Sequence, residues 1–260
     1  MFARIAAVAA LVLASSAAWA KVCPPDSVPA GTICLDRYEA SVWRVPNATT
    51  VNAGLVAKIQ RGSATAADLV AGGATQVGTV TDDYAPCADN GDHCANEIFA
   101  VSLASVTPAS SITWFQAQEA CANSGKRLPT SAEWQVGANG TPDAGPDNGT
   151  TDCNTASDSL PVTGARANCV SARGAFDMVG GVAEWVTDWV AQPTFCTRWG
   201  GFSDDEMCLL GASETAPAPG AFTRGGAWAG VGGTRAGPLA VHPFLPTRSN
   251  ATFIVFRCAR

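Results

Sequence analysis

All ten cysteines of this 260-residue chain lie between Cys23 and Cys258, downstream of a start that reads as an export signal. Arg4 opens it with a positive charge, and Ile5 to Leu13 form an apolar stretch too short to span a bilayer. Ala18-Trp19-Ala20 then offers a small-x-small cleavage site. Residues 1–20 are therefore expected to be a signal peptide and 21–260 the mature chain, periplasmic or extracellular, with no further membrane span. In an oxidising compartment an even number of cysteines reads as a disulfide framework. No Cys-x-x-Cys occurs, which disfavours a zinc ribbon or a thioredoxin-like redox pair. Four pairs look local: Cys23 with Cys34, Cys87 with Cys94, Cys153 with Cys169, and Cys196 with Cys208. Each would close a loop rich in Pro, Gly, Asp or Asn, although spacing alone leaves their connectivity open. Cys121 and Cys258 remain. A bridge between them would tie the chain's end to its middle, contributing up to about 4–5 kcal/mol in the chain-entropy picture.

Without Arg4 the mature chain carries 15 basic against 22 acidic residues. That balance argues against a nucleic-acid surface or an anionic membrane partner. About 240 residues can bury a core as one large domain or two small ones, and the expectation is a single domain over 21–260. "CLDRYEASVW", Cys34 to Trp43, reads as a strand. Residues 46–110 show no sustained period and read as an irregular insertion carrying the Cys87–Cys94 loop.

Two helices are clearer. Thr113 and Gln116 stand in capping-box spacing, and Trp114, Ala117, Ala120 and Cys121 then share one helical face before Asn123-Ser124-Gly125 ends it. Thr130 and Glu133 repeat the device, and Gly137 to Gly140 break that second helix. Beyond Thr141 the chain reads as short strands and long loops. The fold class is therefore α+β: two short helices on small antiparallel sheets, loop-rich and stapled by disulfides.

At "SITWFQAQEACANSGKRLPTSAEW", "FDMVGGVAEWVTDW", "TRGGAW" and "FIVFRCAR", with "CLDRYEAS" as a first strand, the chain resembles the formylglycine-generating enzyme (sulfatase-modifying factor) family. That resemblance implies a variant of the C-type lectin fold. It also supports a Cys121–Cys258 bridge, because family members join a cysteine of the first helix to the one in the terminal "FRC" block. The family's oxidase chemistry uses a cysteine pair between its "RGGSW"-like and "FRC" blocks to bind copper and meet the substrate thiol. Here the interval 229–256 contains no cysteine. Copper(I) demands soft thiolate donors, which Ser, Thr or Met cannot replace as a pair, so neither copper nor formylglycine formation by that route is expected. Some relatives are described as non-heme iron enzymes, and iron takes two imidazoles and a carboxylate. The two histidines are His93, in the tight "CADNGDHC" loop, and His242, between apolar residues and before a proline. A surface role for His93 and a structural one for His242 fit those settings better, so iron is not expected either.

The run "DMVGGVAEWVTDWV", Asp177 to Val190, poses the sharpest question. From Gly181 it alternates, with Val182, Glu184, Val186 and Asp188 on one side and Trp185 and Trp189 on the other, which favours a strand. Four strand steps would set Glu184 and Asp188 about 13 Å apart, wider than the roughly 5–9.5 Å of a glycosidase pair. The resemblance implies a calcium site here instead, from carbonyls around Val179, Gly180 and Val182 plus the Glu184 carboxylate. The family's Asn and Trp are replaced by Gly181 and Ala183. A second implied calcium site falls on Asn154, Thr155, Asp158 and Leu160, where a polar disulfide loop is the plainer reading. Asp188 is expected to be a structural or solvated acid, and Trp185 and Trp189 to be core. Arg127, Glu133, Arg224 and Arg257 are expected in salt-bridge and capping networks.

Loss of the cysteine pair points to a calcium-stabilised binding module for a peptide, glycan or partner protein. Its groove wall would run from Trp228 to Phe253 and present Trp228, His242, Phe244 and Arg248. The alternatives are an oxidoreductase of the formylglycine-generating or a related non-heme metal type, and a structural envelope component.

Overall fold

The computed structural model describes residues 21–79, 81–142, 147–156, 160–190, 220–227, 236–244 and 252–260, together with the backbone of 196–198 and 206–208. The chain opens with a hairpin of β1 (Ser27–Ala30) and β2 (Ile33–Asp36). It then enters a second sheet as β3 (Ala40–Arg44), flanked by β4 (Thr75–Val77) and β5 (Phe99–Ser102). The stretch 34–43, expected to be one strand, is therefore two strands in different sheets. The switch falls at Arg37–Glu39, where the Arg37 carbonyl accepts from Phe176 N–H instead of a strand neighbour and Glu39 turns into the interior.

Residues 46–110 are more ordered than their composition suggested. They hold α1 (Ala53–Gln60), α2 (Ala66–Ala71), β4 and β5. Leu55, Ile59 and Leu69 bury one face of the two helices against Trp43 and Phe99 of the sheet. Both helices are too short for a full period to register in so Ala- and Gly-rich a sequence, and Leu55, Ile59 and Leu69 are the main anchors.

The two capped helices form where expected, α3 (Trp114–Asn123) and α4 (Ser131–Ala138). In each box the Thr hydroxyl accepts from the third helical N–H while the Gln116 or Glu133 side chain accepts from the Thr N–H. The remaining strands, β6 (Ala183–Val190), β7 (Cys196–Arg198), β8 (Glu206–Cys208), β9 (Gly220–Gly226), β10 (Ala236–Phe244) and β11 (Ile254–Phe256), make a sheet of order β11-β6-β9-β10-β8-β7. It is mixed rather than purely antiparallel, because β11–β6 and β10–β8 run parallel.

Strand β6 is the wall between two cores. On one side Trp185 packs with the α3 residues Ala117, Ala120 and Cys121 and with Phe256. On the other, Val186 packs with Trp134 of α4, Leu35 of β2 and Met178. The sequence alternation of β6 maps onto these two faces. Among the described residues four disulfides close, Cys23–Cys34, Cys87–Cys94, Cys121–Cys258 and Cys153–Cys169. For the fifth expected pair the β7–β8 register sets Cys196 opposite Cys208, and their side chains lie outside the described residues.

Candidate functional site

The centre of the molecule is an ion pair. Glu184, on the α4 side of β6, receives Arg257 Nε on Oε2 and Arg257 Nη2 on Oε1, each at 2.6 Å. Trp134 Nε1 adds a third donor to Oε2 at 2.9 Å. The other Arg257 donors reach the carbonyls of Asp36, Arg37 and Phe176, so the guanidinium is fully satisfied. Both residues are fully buried. Burial opposes the charge on Arg257, but the attraction of Glu184 outweighs it and holds the guanidinium pKa above its ordinary value. Residues 36–37, 176 and 184 thus all meet on this one cation, which comes from the far end of the chain.

Two further acids lie nearby without such a partner. Glu39 is buried, and its Oε2 has no hydrogen-bond partner. Burial, reinforced by the Asp177 and Glu184 charges, pushes its carboxyl well above the usual range. Asp177 accepts from Gly164 N–H at 2.7 Å, yet burial raises its pKa to about 6. A second buried network joins the termini. Lys126 Nζ lies 2.7 Å from Asp26 and 2.6 Å from Asp36, and Arg260 pairs with Asp26 at 2.7 Å. Burial works against the Asp26 anion, but Lys126 and Arg260 outweigh it and lower the pKa. For Asp36 the burial wins and the pKa is raised.

The donors around Glu184 do not fit a calcium ion. Both carboxylate oxygens are held by a guanidinium and an indole, and a cation there would face the Arg257 charge. The Gly180 carbonyl already accepts from Val182 N–H. Instead, the chain at Gly180 and Gly181 packs on the second implied site: Gly181 N–H donates to the Asn154 carbonyl at 2.6 Å, and a Cβ on Gly180 would collide with that carbonyl. Val179 packs on the Cys153–Cys169 bridge. The structure thus brings Val179, Gly180, Asn154 and Thr155 together and assigns Glu184 elsewhere. Leu160 is half-buried, and Asp158 lies outside the described residues. Among the described residues no three His, Cys, Asp or Glu side chains cluster as a metal site.

Of the expected groove residues, Trp228 and Arg248 lie outside the described residues. His242 and Phe244 are half-buried on β10. Thr223 Oγ1 donates to the His242 carbonyl at 2.9 Å, and the Phe244 ring packs on Trp185 and Phe253. His93 is exposed, with φ +60°, on the Cys87–Cys94 loop. Asp188 is structural: its Oδ2 accepts from Ser131 N–H at 2.6 Å, at the positive end of α4. Arg127 forks onto Glu133, and Arg224 donates to Ser131, Gln135 and the Pro238 carbonyl while lying 4.9 Å over the Trp134 ring. Trp185 is core, whereas Trp189 remains 38% exposed.

Sequence reasoning did not find Glu39, Asp177 or the Lys126 network. Asp26 and Asp36 each follow a bridged cysteine closely, a signal for burial that was open to notice, whereas Glu39 sits in an ordinary strand pattern.

No curated protein matches the chain. Among solved structures it resembles the Major Tropism Determinant I1 variant, at 19% identity and TM-score 0.40 over 57% of this chain and 37% of that one. The P3c variant gives 20% identity and TM-score 0.39 over 66% and 47%. The chain therefore spans less than half the length of these structures. The sequence pattern of the sulfatase-modifying factor enzyme 1-like domain matches residues 74–260, which takes in β4 and β5 of the supposed insertion and begins after "CLDRYEAS". With more than half its length matched and the Cys121–Cys258 bridge that the resemblance implied closed, this chain belongs to the sulfatase-modifying factor enzyme 1-like family.

Proposed function

We propose that the chain is an exported, non-catalytic member of this family, a binding module for a peptide, glycan or partner protein. One observation carries the reading. Cys258, the cysteine of the C-terminal block, is buried and bridged to Cys121, while 229–256 contains no cysteine. That interval is where the resemblance would put the thiolates of a copper centre, and it supplies none. The four disulfides fit an oxidising compartment. Among the described residues no helix is long and apolar enough to cross a membrane.

Within this proposal the ligand surface is the β10 face, with His242 and Phe244 on it, and Trp228 and Arg248 belong to the same proposed surface by their place in the sequence. Calcium is proposed for the loop 154–160 alone, with Asp158 as the charged ligand and no part for Glu184. Elemental analysis of the purified protein, before and after a chelator, tests the set. Calcium without copper or iron is the expected result. Stoichiometric copper or iron would support the oxidoreductase reading instead.

A further inference from the structure

We propose that Trp114, Phe115 and Trp189, rimmed by Asp89, Asp92 and Glu119, form a docking site for a lysine or arginine side chain of a protein partner. The site lies on the α3 side of β6 and shares no residue with the surface proposed above.

The three rings meet pairwise at steep angles. Trp114 and Trp189 stand 5.0 Å apart at 79°, Trp114 and Phe115 5.4 Å apart at 87°, and Phe115 and Trp189 6.0 Å apart at 58°. Trp114 Nε1 donates to the Val186 carbonyl at 2.8 Å, which pins the central indole in place. Trp189 is the most exposed large aromatic among the described residues, at 38%, and both α3 rings are only half-buried. Such a corner of π faces suits a compact cation, which can sit against two rings at once. A pyranose ring needs one flat platform, which steeply crossed rings do not supply.

The charge around the corner has the matching sign. Asp89 and Asp92 are exposed on the Cys87–Cys94 loop, and Glu119 lies one turn beyond Phe115 on the same face of α3. The loop closes directly over that face, since a Cβ at Gly91 would lie 3.4 Å from Phe115 Cβ and 3.7 Å from Glu119 Cγ. It is held there by the disulfide, by Thr113 Oγ1 donating to the Asp89 carbonyl at 2.8 Å, and by Gln116 Nε2 donating to Asp89 Oδ1 at 3.4 Å. The acids are thus prepositioned. Other charged groups nearby are His93 on the same loop, Asp188, committed to the α4 N-terminus, and Arg127, neutralised by Glu133.

The test is fluorescence anisotropy of the full chain with a labelled alternating lysine–glycine peptide, against a serine–glycine peptide of equal length. The lysine peptide should bind and the serine peptide should not. Trp189→Ala, which leaves net charge unchanged, should weaken binding about tenfold, and Trp189→Phe should retain most of it. Glu119→Gln should weaken it a few-fold and reduce its salt sensitivity. Equal affinity in wild type, Trp189→Ala and Glu119→Gln would overturn the proposal, leaving only diffuse attraction to an acidic protein. So would a neutral oligosaccharide that displaces the peptide and loses its own binding in Trp189→Ala, since the corner would then be a sugar platform. If Trp189→Ala lowers the melting temperature sharply, the comparison of Trp189→Phe with Glu119→Gln decides.

Discussion

Glu184 and Asp188 are four residues apart on one strand and do unrelated work. Glu184 neutralises a guanidinium in the interior, and Asp188 caps a helix. Glu184→Gln should therefore cost about 3–5 kcal/mol, because it strands the Arg257 charge out of water. Urea unfolding measures it, and a chelator should add nothing to the loss attributable to this side chain. Asp177 gives a pH signature. Its pKa rises from 3.8 to about 6 on folding, so between those values the folded chain holds a proton that the unfolded chain has released. Stability from this group is thus lost as pH rises through that window, by about 3 kcal/mol. Asp177→Asn should keep the Gly164 hydrogen bond and tolerate φ +58°, which asparagine adopts readily. Its stability advantage over wild type should grow from near zero at pH 4 to about 1–3 kcal/mol at pH 7. A difference independent of pH would contradict the burial of a protonated acid.

Among the elements, the two capped helices and β6 were legible, because each rests on a local rule. A capping box needs two residues at fixed spacing, and a wall strand needs alternation. Thr130→Ala should accordingly cost about 1 kcal/mol in chemical denaturation, with little change in the slope against denaturant. Elements set by distant partners were not legible. The break at Arg37–Glu39 depends on Phe176 and Arg257, and α1 and α2 depend on Trp43 and Phe99 beneath them. The role of Glu184 was missed for the same reason. Its glycine-rich approach looked like an oxygen cage, but the nearest charged group in space is 73 residues away in sequence. Glycine at 180 instead allows close packing on Asn154, and Gly180→Ala should be strongly destabilising.

Across the whole molecule, long-range closures dominate. Cys258 N–H donates to Asp36, Arg260 pairs with Cys34 along the backbone, and the Cys121–Cys258 bridge spans 137 residues. Replacing both cysteines by serine should cost up to about 4–5 kcal/mol, read as a fall in the urea midpoint. The bridge is a shared feature of the family's frame; what sets this chain apart in the function proposed for it is the interval 229–256, which offers no sulfur while Cys258 is taken by Cys121. That claim is tested most directly by incubating the purified protein with copper, oxygen and a cysteine-bearing sulfatase-type peptide, and following the peptide by mass spectrometry. The peptide should keep its thiol and its mass. Accumulation of the aldehyde product would show that a reaction centre survives.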